Sequence, residues 1–358
     1  MKEFFYLSAD GRTQIRAACW EPPCAPRAIL QFVHGMYEHM GWYDPFARWL
    51  AAQGFLVVGN DHLGHGLSVA GEENRGFFAQ PNGNGCVLQD IHTLRTLTQK
   101  NHPQLPYFIL GHSMGSFLTR QYIQRHGQGL AGAILMGTGS QSALTLLAAR
   151  TIARLSACAK GWQSRSALLD KLTTGGFNRR FQPVKTGYEW ITSDEEIAAS
   201  YGRDPLRCFR FTVNAYDNMF VSIGEAQSAR RMKGIPKSLP LLLISGECDP
   251  VGGFGKGGSG GLCALSGGRL AGGSLPALSR LPPRAAERGE PRNRIRRSAG
   301  LDECPHGSGP ERINSRAAVS VLFHRAGGAF ALPARCFFRC SGFCTNDFSF
   351  WGRCYIIE

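Results

Sequence analysis

Short apolar runs separated by helix-length stretches set the rhythm of the first 140 residues. Ala28-Ile29-Leu30-Gln31-Phe32-Val33 is one such run, and residues 55–58, 107–110 and 133–136 repeat it. Each is brief and nearly continuous, the pattern of a strand covered on both faces. Between them, residues 43–53 place Phe46, Trp49 and Leu50 at helical spacing and stop at Gly54. Residues 84–101 carry Val87, Ile91, Leu94 and Leu97 on one helical side, and 113–125 form a third helix. Residues 14–20 add a strand after the Asp10-Gly11 turn. Strands alternating with helices predict an α/β protein with a mostly parallel central sheet and helices on both faces.

Near residue 140 the strand rhythm stops. Helical pieces at 144–157, 166–173 and 193–200 take over, joined by polar turns. Strand character returns at Pro240-Leu241-Leu242-Leu243-Ile244-Ser245-Gly246. The expected organisation is a core from 1–139 and 226–256, interrupted by a helical cap at 140–225. After Lys256 the composition changes. Residues 258–273 are rich in Gly and Ser, 281–297 in Arg and Pro, and 257–358 hold 14 Arg, no Lys and 7 acids. A weak strand candidate stands at 317–323. We read 257–358 as an aberrant tail, frameshifted near residue 257 or disordered. The core's last strand and helix are then missing, and 240–245 is left as an apolar edge.

Composition narrows the function. Apolar residues make up 43% and charged residues 18%, which is globular. The net charge of +14 is split between the tail and scattered positions before it, with no basic stripe, so nucleic acid is not an expected partner. The first residues lack the apolar core of a signal peptide, and no run approaches the roughly 18 apolar residues that span a bilayer. A cytoplasmic protein without stable membrane insertion is expected. The 12 cysteines then read as reduced thiols. Cys336, Cys340 and Cys344 recur every four residues, which is not a zinc spacing, and neither metal nor cofactor is expected.

Tyr107-Phe108-Ile109-Leu110-Gly111-His112-Ser113-Met114-Gly115 runs from strand through Gly-x-Ser-x-Gly into a helix. A nucleophilic serine on a sharp turn needs glycine on both sides, where side chains would strike neighbouring backbone. A second match, Gly257-Gly258-Ser259-Gly260-Gly261, has neither strand before it nor helix after it. Ser113 is therefore the candidate nucleophile. Oxyanion donors are expected from the backbone N–H of Met114, directly after it, and of Met36, at the end of an earlier strand. Asp249, in Gly246-Glu247-Cys248-Asp249-Pro250, follows a late strand and suits the acid that orients a histidine. Glu247 is the alternative acid, and a plain Asp-Pro turn the bland reading.

His34-Gly35-Met36-Tyr37-Glu38-His39, Asn60-Asp61-His62-Leu63-Gly64-His65-Gly66, Gly111-His112-Ser113-Met114-Gly115 and Gly246-Glu247-Cys248-Asp249-Pro250-Val251 occur in that order. Together they resemble the lysophospholipase and monoacylglycerol-lipase-like α/β-hydrolases, also labelled serine aminopeptidase S33-like, over residues 1–256. The resemblance implies an eight-stranded sheet, a helical cap, and hydrolysis of esters of apolar acyl groups, with an acyl ester or lysophospholipid as substrate and at most transient contact with a membrane surface. By motif match it assigns Ser113, Asp249, Met36 and Met114 the roles given above. His34, His62, His65 and His112 fall where the family does not place its base and read as structural, with His112 turned away from Ser113. The family's triad histidine follows the acid by roughly thirty residues. Here the first histidines after Asp249 are His306 and His324, too late and in the wrong setting. The triad histidine is thus unassigned. A non-catalytic scaffold that binds apolar ligands, and a peptidase of the same fold, are the other readings.

Overall fold

The structure, a computed structural model, describes residues 1–192, 194–246, 248–252 and, as backbone, 353–357. Glu247, His306, His324 and the strand candidate at 317–323 lie outside the described residues.

The strands are β1 (Lys2–Leu7), β2 (Gln14–Trp20), β3 (Ala28–Val33), β4 (Phe55–Asn60), β5 (Tyr107–His112), β6 (Gly132–Met136), β7 (Leu241–Ser245) and β8 (Arg353–Ile357). They form one sheet in the order β1-β2-β4-β3-β5-β6-β7-β8. The run from β4 to β7 is parallel, and β1, β2 and β8 pair antiparallel.

Why the parallel strands read as unbroken apolar runs is visible in where their side chains go. Ile29, Val33, Tyr107, Ile109, Ala133, Leu135, Leu241 and Leu243 pack into one layer. The alternate residues Leu30, Phe32, Phe108, Leu110, Ile134, Met136, Leu242 and Ile244 pack into the other. Successive side chains point to opposite faces, and both faces are dry.

Helix α1 (Asp44–Ala52) closes the second layer with Phe46, Ala47 and Leu50. Helices α2 (Gly83–Asn101) and α3 (Met114–His126) close the first through Val87, Ile91 and Leu94, and through Phe117, Leu118 and Tyr122. The insertion supplies α4 (Ala143–Lys160), α5 (Ala167–Thr173), α6 (Glu195–Tyr201) and α7 (Val213–Ala226), followed by the short α8 (Ala229–Met232). Their starts are chemically marked. Ser142, Ser166, Asp194 and Thr212 each accept a backbone N–H from the first turn of the helix they precede. Helix α7 buries Val213, Tyr216, Phe220 and Ile223 in the first layer. Gln121 of α3 donates to the Ser222 hydroxyl at 2.6 Å, and Asn214 bonds the backbone of Phe78 and Ala79 at 3.1 Å each. This helix therefore fastens the insertion to the sheet's helices.

One expectation is corrected here. β7 was to be an uncovered edge with the next strand absent. Instead β8 runs antiparallel along it, from Leu241 opposite Ile357 to Ser245 opposite Arg353. The far C-terminus satisfies the ladder groups that an edge leaves open.

Candidate active site

β5 ends and α3 begins at Ser113, and the turn between them is strained. Ser113 has φ 52° and ψ −118°, a region that costs a non-glycine residue about 1–3 kcal/mol. Its N–H donates to the Met136 carbonyl at 2.9 Å, tying the turn to β6. The two flanking glycines are required by contact. A Cβ on Gly115 would lie 2.0 Å from the Val33 oxygen of β3, and one on Gly111 would lie 2.3 Å from both the Gly115 oxygen and Thr119 Oγ1. Met114 is the first residue of α3, where backbone N–H groups lack intrahelical acceptors.

The loop after β3 meets this elbow. A Cβ on Gly35 would lie 3.2 Å from Ser113 Cβ. The loop is braced by Glu38. Its Oε2 accepts the Gly35 N–H at 2.6 Å and the Tyr43 hydroxyl, and faces His112 Nδ1 at 3.2 Å. Tyr43 Oη also lies 2.8 Å from that nitrogen. Burial pushes the Glu38 carboxyl up, but the neighbouring His112, Arg207 and Tyr43 outweigh it, and its pKa falls to about 2. Burial likewise lowers His112, yet Glu38 and then Asp249 raise it above the ordinary histidine value. One carboxylate thus holds both the loop carrying Met36 and the residue preceding Ser113.

Tyr37, beside Met36, also has positive φ, at 62°. Its hydroxyl sits 3.1 Å from that of Tyr216 and 3.3 Å from Asp170 Oδ1, which pins the turn to α5 and α7.

Asp249 lies just beyond β7. Its Oδ1 accepts the Val251 N–H at 2.8 Å, and Ser245 Oγ approaches Oδ2 at 3.5 Å. Burial raises its pKa, only partly opposed by Val251, His112 and Gly252. A Cβ on Gly137 would lie 3.4 Å from Asp249 Oδ2 and 3.8 Å from His112 Nε2, so the two side chains face one spot next to β6.

Ser113, Met36, His112 and Asp249 all line a cavity of about 1140 Å³. Strand ends form its floor, and residues of the insertion, from Asp170 to Arg210, form its walls. Among the described residues, no histidine hydrogen-bonds the Ser113 hydroxyl. His34, His62 and His65 form a buried group elsewhere, His39 Nε2 bonds Asp204 at 2.7 Å, and His92 stacks on His126. His112, expected to turn away from Ser113, is drawn to Glu38 but still lines the cavity.

Three residues of this site had no clear sequence signal. Glu38 stood inside a quoted motif, but its partner His112 is 74 positions away. Tyr37 shows its role only through its dihedral angle. Arg207 sits in a stretch with no periodicity.

Residues 24–257 match the model of the family described as serine aminopeptidase, S33. This chain belongs to that family. A monoglyceride lipase of Rattus norvegicus is 34% identical over 254 residues, covering 68% of this chain and 72% of the relative. A monoacylglycerol lipase of Mycolicibacterium smegmatis is 27% identical over 247 residues, covering 68% and 79%. Among solved structures, a thermostable carboxyl esterase from Bacillus coagulans, crystallised with glycerol, superposes with TM-score 0.69 at 29% identity, covering 75% of this chain and 86% of that one. The S33 chain is an α/β-hydrolase, and the resemblance read from its four motifs holds.

Proposed function

We propose that this S33 hydrolase cleaves carboxylic esters of apolar acyl groups through an acyl-enzyme on Ser113. The observation that carries the reading is the elbow: a serine at φ 52° between two glycines that tolerate no side chain, opening into a large cavity. Backbone strain of this kind persists where the surroundings over-determine it, and it exposes the hydroxyl above the sheet. The named lipase and esterase relatives support an ester rather than a peptide.

In this mechanism Ser113 Oγ attacks the acyl carbon. The N–H groups of Met36 and Met114 take up the charge that develops on the carbonyl oxygen, and the start of α3 favours it further. Asp249 is the acid that would orient a triad imidazole for taking the serine proton and returning it to the leaving alcohol, and no described histidine stands in that place. Helices α4 to α6 act as the cap at 140–225, and their walls select acyl length. Leu144 and Leu147 of α4 and Leu168 of α5 are exposed, which suits brief contact with a membrane surface where such substrates reside. No described helix is long and apolar enough to cross a membrane. Cys19, Cys86, Cys158, Cys208 and Cys248 are free thiols, in keeping with the reducing cytoplasm.

A fluorophosphonate probe tests the reading, because it labels only an activated serine. Labelling is expected on wild type, slow because no described histidine serves as base, and absent from Ser113→Ala. Turnover of p-nitrophenyl esters of increasing chain length then reports the acyl class. Wild type that stays unlabelled and inert would turn the assignment to a non-catalytic scaffold.

A further inference from the structure

We propose that Arg207 is an anion subsite in the cavity it shares with Ser113, and that the alcohol released there carries a phosphate or carboxylate group. This rests on the ester-hydrolase reading above and adds the polar half of the substrate to it.

Arg207 lies between α6 and α7 and is 3% exposed. Its guanidinium carbon stands 3.7 Å from the Trp42 ring centre and 2.9 Å from that of Tyr201, so two aromatic rings hold it. Ring faces attract the cation through its plane and leave its N–H edges unused. None of Nε, Nη1 and Nη2 has a hydrogen-bond partner. A buried guanidinium with every donor idle is costly unless an acceptor arrives.

The nearby acids do not fill that need. Glu38 Oε2 is engaged by Gly35, Tyr43 and His112. Asp204 Oδ2 bonds His39, and its Oδ1 accepts the Leu206 N–H at 2.9 Å. The other cavity cations are matched: Arg210 Nε lies 3.3 Å from Asp170, and Lys185 Nζ lies 2.6 Å from Glu195. Among the described residues, Arg207 is the cavity-lining cation without an acceptor. The two carboxylates keep the surroundings from being strongly positive, so the site selects by geometry. A planar fork held rigid suits the paired oxygens of a phosphate or carboxylate. An apolar acyl chain carries no such group. The anion must therefore belong to the alcohol.

Equilibrium binding to the full chain tests this without turnover, using ether analogues that cannot be hydrolysed. The probes are decyl glycerol ether, its 3-phosphate, and the decyl ether of glyceric acid, all below their micelle concentrations. Titration calorimetry reads affinity. An anionic ether is expected to bind at least about ten-fold tighter than the neutral one, the scale of one charge-assisted hydrogen bond. The stronger of the two anions identifies the group. Arg207→Gln should abolish the preference while neutral-ether affinity stays within about two-fold, and Arg207→Lys should restore part of it. Equal affinities in wild type, or a preference that survives Arg207→Gln, overturn the proposal. Glycerol 3-phosphate or inorganic phosphate binding as tightly as the phosphorylated ether would also overturn it, since the site would then read free phosphate. Should Arg207→Gln fail to fold in a thermal melt, the wild-type comparison and Arg207→Lys decide. If the ester reading itself is wrong, no p-nitrophenyl ester is turned over and Ser113 resists the fluorophosphonate, whichever ethers bind, whereas failure of the anion subsite shows as equal ether affinities in a chain that still labels.

Discussion

Ser113 and Tyr37 both hold positive φ, and both border the cavity. Neighbouring single residues keep them there, and the three buried histidines do so for the loop after β3. His34 Nδ1 donates to the Gly35 oxygen at 2.8 Å, while its Nε2 accepts the His62 N–H at 2.9 Å. Both bonds together require a neutral ring. His62 Nε2 in turn donates to the His34 oxygen at 3.1 Å, and its Nδ1 has no partner. Burial pushes His62 down to about 4 and His65 to about 3. In the unfolded chain each titrates near its ordinary value, so between pH 6.5 and 4 the unfolded state binds more protons. Their contribution is therefore whole above about pH 6.5 and is lost as pH falls through the folded values. The slope is about 1.4 kcal/mol per pH unit for each ring. His62→Gln keeps a donor for the His34 oxygen and removes the titration. Urea unfolding from pH 7 to 4.5 should give the variant a shallower loss by up to that slope. Parallel curves for variant and wild type would sink the argument.

At the scale of elements, what the sequence made legible depended on how completely each element is covered. β3, β5, β6 and β7 could be read because both faces are dry, so nearly every position is apolar. α3 could be read because an elbow and a helix period meet at one residue. β1 was missed, since Phe5 and Leu7 of this edge strand are exposed and no alternation survives. α7 was not resolved within the insertion. Its buried face mixes Tyr216, Phe220 and Ile223 with Asn214 and Ser222, polar residues that bond the core instead of avoiding it. α4 has the opposite character. Leu144, Leu147 and Leu155 are 79%, 64% and 65% exposed, while Leu146, Ala153 and Ala157 face inward. Three long apolar side chains in water contribute little to folding, so their replacement by Gln should change stability by less than about 0.5 kcal/mol each. If α4 touches the lipid surface, the triple substitution should lower co-sedimentation with anionic vesicles several-fold while leaving activity on a dissolved short-chain ester unchanged. Undiminished vesicle binding would remove α4 from that role.

For the whole molecule the decisive relation is between the eight-stranded sheet and a site for which the described residues supply no base histidine. The eight strands place Ser113 and Asp249 at the ends of β5 and β7, against one cavity. A hydroxyl in that position still needs a base, and the eight described histidines leave it without one. His306 and His324 are the other histidines of the chain and lie outside the described residues. Lysine disappears after residue 256 while arginine, glycine and proline accumulate, and the S33 match ends at 257. We propose that a change of coding frame near residue 257 accounts for both at once, because one inserted or deleted base makes the DNA downstream of it read as different amino acids. Translating the alternative frames of the same DNA from codon 257 should uncover a helix, a strand and a histidine roughly thirty residues beyond Asp249. Expressed in that frame, the chain should exceed the present one in kcat/KM on p-nitrophenyl butyrate by on the order of 10⁴-fold or more, the loss typical when a triad loses its base. Substituting the recovered histidine should return the rate to the present chain's level, while substituting His306 or His324 in the present chain should leave its residual rate alone. If the other frames read as nonsense, or if His306→Ala or His324→Ala abolishes Ser113 labelling, the base comes from the tail as it stands and the frameshift idea fails.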